Sequence, residues 1–171
     1  LTYEALAENV SADDLLGLLN TFGVESLGIV GSGLGAVVAL AAAQRAPECV
    51  SELVLEGASV KFGRLALGAQ KALVRAMPEA KWAATGLNRA SVLAVMDGLA
   101  GLDLAAGLDR VTARTLVLLG SHDRAQRPGA EAVAAGVGGA RLSIVPDAAD
   151  PIHLTNPEGF NAELWRFLDG E

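Results

Sequence analysis

The residues whose types and spacing could carry chemistry fall in three places along the chain. The first is the string Gly31-Ser32-Gly33-Leu34-Gly35-Ala36, which follows an apolar run and opens a helix-like one. Two mechanisms place glycines at such a junction. In one, backbone N–H groups at the helix start meet a pyrophosphate, as at an NAD or FAD site. In the other, a G-x-S-x-G turn thrusts a nucleophile out of a tight bend. Gly31, Gly33 and Gly35 fit the dinucleotide fingerprint poorly, because its last glycine falls on Ala36 and the acid expected about twenty residues on is represented only by Glu56. The second place is His122-Asp123 and the third is Asp150 with His153. These four have metal-ligand composition, but no pair has the helical i, i+4 spacing of a zinc motif, so no metal is expected.

Four runs read as strands that could position these groups: Leu27–Val30, Glu52–Leu55, Thr115–Leu119 and Arg141–Val145. The third is almost wholly apolar, as in a strand buried on both faces of a parallel sheet. Helical patterns cover Tyr3–Thr21, Leu34–Arg45 (stopped by Pro47) and Pro157–Leu168. Strands alternating with helices predict an α/β fold with a parallel sheet. The second and third strands are far apart, and helical patterns at Leu65–Met77 and Ala90–Leu99 lie between them. A crossover needs only about a dozen residues. The reading is one domain over 1–171, with its core in 1–57 and 115–171 and a helical cap inserted at 58–114.

The wider sequence around these motifs resembles the α/β-hydrolase superfamily from end to end. The resemblance lies in L-A-E-N-V-S-A-D-D-L-L-G-L-L-N-T-F-G-V-E before the Gly31 turn and A-P-E-C-V-S-E-L-V-L-E after its helix. It continues through T-L-V-L-L-G-S-H-D-R and I-V-P-D-A-A-D-P-I-H-L-T-N-P-E-G-F-N-A-E-L-W-R-F-L. It implies a three-layer α/β fold with a mostly parallel sheet, truncated to about four strands because the match starts at the helix before the turn.

The same resemblance assigns site positions. The nucleophile position is Gly33, which has no side chain to attack with, and Ser32 stands one residue early. The acid position is Asp123. The histidine position is Asp150, a poor proton acceptor at neutral pH, with His153 three residues on as a weak candidate base. The oxyanion N–H position is Leu34, and its usual partner loop falls in the part not matched. These substitutions point to a non-catalytic protein acting through interaction or through a small apolar ligand under the cap. The alternatives are a hydrolase of small esters, amides or lactones using non-standard groups or another chain's residues, and a dinucleotide-binding module.

Composition bounds the partners. The chain has 171 residues, 13 Lys plus Arg against 20 Asp plus Glu, and a net charge of −7. That balance offers no footprint for nucleic acid or anionic membranes. The longest apolar run, Ala36–Ala43, is too short to span a bilayer. One cysteine, Cys49, allows no internal disulfide. A cytoplasmic protein is expected. It begins at Leu1, as a fragment or processed product does. The truncation leaves Ser26–Val30 as a bare apolar edge, so a homodimer or a complementing polypeptide is expected there. Of the cap's apolar residues (Leu65, Leu67, Leu73, Val74, Met77, Trp82), most are expected to pack its own small core.

Overall fold

A computed structural model describes residues 10–78 and 88–170. Trp82 and residues 3–9 of the first helical pattern lie outside the described residues. Within them the order is α1 (Val10–Phe22), β1 (Leu27–Ser32), α2 (Leu34–Arg45), β2 (Val50–Glu56), α3 (Arg64–Ala76), α4 (Arg89–Leu99), β3 (Arg114–Gly120), α5 (Arg127–Gly136), β4 (Arg141–Val145), α6 (Ile152–Thr155) and α7 (Pro157–Leu168). Short 3-10 turns at Pro47–Cys49 and Ala105–Arg110 precede β2 and β3. The four strands form one parallel sheet in the order β1-β2-β3-β4. This is the expected α/β architecture, with β1, β2 and β3 two, three and two residues longer than their apolar runs and β4 matching its run.

The strands that read as most apolar are the most buried. Leu53, Leu55, Leu116 and Leu118 are wholly buried. Alternate residues face opposite layers, because strand side chains have a period of two. One face carries Val54, Leu116, Leu118 and Val145 into a core closed by Phe160 and Phe167 of α7. The other takes α2, whose small residues Ala36, Ala39, Ala42 and Ala43 are fully buried. Short side chains let that helix lie close to the strands.

The chain divides into two compact units. One, Ala12–Val60 with Leu104–Glu171, holds the sheet. The other, Leu1–Ser11 with Lys61–Asp103, holds α3 and α4. In the helical unit Leu67 is buried, and Val74 and Met77 are half-buried. Leu65 and Leu73 are exposed instead, at 90% and 68%, which corrects the expectation of a shared core for these two. At about 100° per residue they fall on the side of α3 away from Leu67 and Val74. The Lys71 ammonium reaches the Asp97 carboxylate between α3 and α4. That bond is the leading cause holding Asp97 below the ordinary carboxyl range, against desolvation that raises it.

Candidate functional site

Every candidate residue lies at or beyond the C-terminal end of a strand, as ligands do in open α/β sheets. β1 ends at Ser32 and α2 begins at Leu34, so the turn between them is Gly33 alone. Gly33 has φ 55° and ψ −113°, a backbone conformation costly for any residue with a Cβ. Its N–H donates to the Glu56 carbonyl at 2.9 Å, and its own carbonyl accepts from the Ala36 N–H at 3.2 Å. Among the described residues nothing but its chain neighbours lies within 4 Å of the place a Gly33 Cβ would occupy. Gly31 is glycine for another reason: a Cβ there would meet the Gly35 carbonyl oxygen at 2.5 Å and the Ala36 Cα at 2.8 Å. The glycines thus serve close helix packing and a positive φ. Ser32 sits within β1, half-buried and in register with Glu56, one residue short of the apex. Leu34 opens α2 beside the apex.

Asp123 lies in the turn after β3. Its backbone accepts from the Gln126 and Arg127 N–H groups at 3.2 Å, and its Oδ2 is buried without a hydrogen-bond partner among the described residues. Asp150 lies in the loop after β4, where its Oδ2 accepts from Gln126 Nε2 at 3.2 Å. The same carboxylate presses on Gly57, at 2.8 Å from where a Cβ would stand. Gln126 therefore ties the turn that holds Asp123 to the loop that holds Asp150. Two carboxylates and an amide can accept hydrogen bonds and orient a donor, but this set offers no imidazole to take a proton from a hydroxyl. His122 is exposed, with its N–H on the Ala148 carbonyl at 3.0 Å. Among the described residues no three of His, Cys, Asp or Glu gather as a metal site.

His153 has a different neighbour. Its Nδ1 lies 2.8 Å from Glu56 Oε2, and its ring meets Phe160 edge-on with centroids 5.9 Å apart. Glu56 is wholly buried at the end of β2. Its Oε1 accepts from the Ile152 N–H and, at 3.3 Å, from the His153 N–H, capping the first turn of α6. Glu56 is thus spoken for: its buried carboxylate is held by Ile152 and His153, in keeping with the poor fit of the dinucleotide fingerprint. The pairings of Gln126 and Glu56 escape a reading by motif. A faint signal for Glu56 does exist, since in V-S-E-L-V-L-E it shares the face of Val54, which an acid would occupy only with buried partners.

No family model matches the chain. Solved structures do. A hydrolase from Pseudomonas aeruginosa matches at TM-score 0.80 and 25% identity, over 94% of this chain and 71% of its own. An enol-lactonase from Burkholderia xenovorans matches at TM-score 0.79 and 17% identity, over 99% of this chain and 74% of its own. An alpha/beta hydrolase enzyme from a Medee basin deep-sea metagenome matches at TM-score 0.78 and 15% identity, over 94% and 71%. This chain has the three-layer fold of the α/β-hydrolases. Within that fold the bend at Gly33 stands where a strand gives way directly to a helix, and Asp123 follows the next strand but one.

Proposed function

We propose that this chain is a non-catalytic member of the superfamily that works by association or by holding a small apolar ligand. The observation that carries the reading is the apex of the bend, occupied by Gly33 and clear of other side chains among the described residues. A hydrolase of this type needs a nucleophile there, a base to deprotonate it and an acid to orient the base. Here the first is a hydrogen atom and the second is Asp150. On this reading Asp123 is the acid, and its Oδ2, without a hydrogen-bond partner among the described residues, fits an acid whose imidazole is gone. Association would use the β1 edge, through a second copy or a complementing polypeptide. The same reading places the protein in the cytoplasm, on its single Cys49. Among the described residues no helix is long and apolar enough to cross a membrane.

A fluorophosphonate probe tests the reading. The parent chain is expected to stay unlabelled, and the double variant Gly33→Ser, Asp150→His to gain labelling. Labelling of the parent that Ser32→Ala abolishes would overturn it. A second reading, a hydrolase with non-standard groups, draws support from Glu56 and His153, because a carboxylate on Nδ1 is how a general base is held in one tautomer and orientation. Turnover of p-nitrophenyl acetate by the parent, lost in His153→Gln, would favour that reading.

A further inference from the structure

α3 has two apolar faces, and its own unit uses one of them. Leu67 and Val74 lie on the side from which Lys71 reaches Asp97 of α4. The opposite side carries Leu65, Ala69, Ala72, Leu73 and Ala76, all of them exposed. Positions 65, 69, 72 and 76 recur every three or four residues, which makes a seam along the helix. A lone exposed apolar residue needs no account, but a seam three turns long does. Arginines stand at positions 64 and 75 on one flank of the seam, eleven residues or about three turns apart, and α3 holds no acid. α7 presents the counterpart. Phe160 and Phe167 hold it to the sheet. On the side away from them stand Glu158, Ala162, Trp165 and, at the C-terminal cap, Asp169. All four are exposed, Trp165 by 62%. That side points away from the sheet, so nothing bordering β1 could cover it. Glu158 and Asp169 are also eleven residues apart, and they bracket Trp165.

The two faces match in charge, in length and in the spacing of their charges. We propose that the α3 seam of one copy of this chain docks on the outer face of α7 of a second copy. The two arginine positions meet the two acids, and the Trp165 indole lies over Ala69 and Ala72, whose small side chains leave it room. Pairing α3 with its own copy is a poorer fit. An antiparallel pair brings like flanks together and sets arginine against arginine. An anionic lipid surface would suit the α3 face alone, and it would leave the matching face of α7 without a role. The proposal goes beyond the reading of the Gly33 bend and does not depend on it, since mass and probe labelling are measured separately.

Sedimentation equilibrium of the full chain, with circular dichroism to check folding, tests it. The seam is only about 20 Å long, so the parent is expected to associate in the micromolar range. Two doubly substituted variants reverse one side each: Arg64→Glu with Arg75→Glu, and Glu158→Lys with Asp169→Lys. Each alone is expected to be folded and monomeric. An equal mixture is expected to associate again, because acid then meets base at both faces. Leu65→Gln, at a position 90% exposed, is expected to fold like the parent and to weaken association at least about fivefold. A parent that stays monomeric, whether or not it binds phosphatidylglycerol vesicles, would overturn the proposal. So would reversed variants that still associate, as a dimer joined through β1 would, a mixture that does not, or a Leu65→Gln variant as tight as the parent.

Discussion

Replacing Glu56 by alanine is the sharpest test of how the loop after β4 is held. Glu56 is wholly buried, and Ile152, whose N–H it accepts, is 1% exposed. Without the carboxylate, that N–H has no water to turn to, which costs about 1–3 kcal/mol. The His153 N–H and Nδ1 lose the same partner. The His153 side chain is exposed and can turn to water, so its share is at most about 1 kcal/mol and the total is about 2–4 kcal/mol. For 171 residues, each kcal/mol corresponds to about 2–4 °C in Tm. Glu56→Ala should therefore melt about 4–16 °C below the parent, with faster hydrogen exchange over residues 149–156. Glu56→Gln keeps the shape and an acceptor oxygen for Ile152, and should lose about 1–2 kcal/mol. Circular dichroism melts and urea titrations measure both. A Glu56→Ala variant within about 1 kcal/mol of the parent, or a Gln variant as poor as Ala, would refute the clamp.

Three further outcomes follow from the same structure. Gly31→Ala drives a Cβ into the Gly35 and Ala36 backbone, which cannot swing aside. It should cost about 3 kcal/mol or more, while Gly33→Ala, with free space but a positive φ, should cost about 1–3 kcal/mol; urea midpoints that reverse this order would contradict the two reasons given for these glycines. For Glu163, burial pushes the carboxyl up, but the Ser143 hydroxyl and the charges of Arg166 and Arg141 outweigh it and leave the group below its ordinary 4.5. A carboxyl lowered in the folded state stabilises it above the unfolded value and loses that contribution as pH falls through the folded one. Parent and Glu163→Gln stabilities should therefore differ above about pH 5 and converge in more acid solution, as measured by melts across pH. Arg114 sits 4.6 Å from the Phe167 ring centroid and bonds Glu52 and the Leu168 carbonyl. Arg114→Lys cannot keep all three contacts and should lose about 1 kcal/mol in urea unfolding, which salt alone should not reproduce.

What the sequence by itself determined is what depends on near neighbours. Leu116–Leu119 reads as a buried strand because four successive apolar residues need cover on both faces. Gly33 marks a bend because an apolar run gives way to a helical one without a linker, and glycine offers no side chain there whatever the rest of the chain does. Asp123 is legible for the same reason, three residues past the end of β3 at Gly120. The tertiary structure decided everything that joins distant segments. Glu56 and His153 meet across nearly a hundred positions, and Gln126 reaches Asp150 from a turn after another strand. Neither pairing has a spacing to announce it, because strand order and not chain order sets which loop ends lie side by side. The uncovered Val30 beside the buried Val54 is of the same kind: as apolar strand residues the two look alike, and only their places in the sheet separate them.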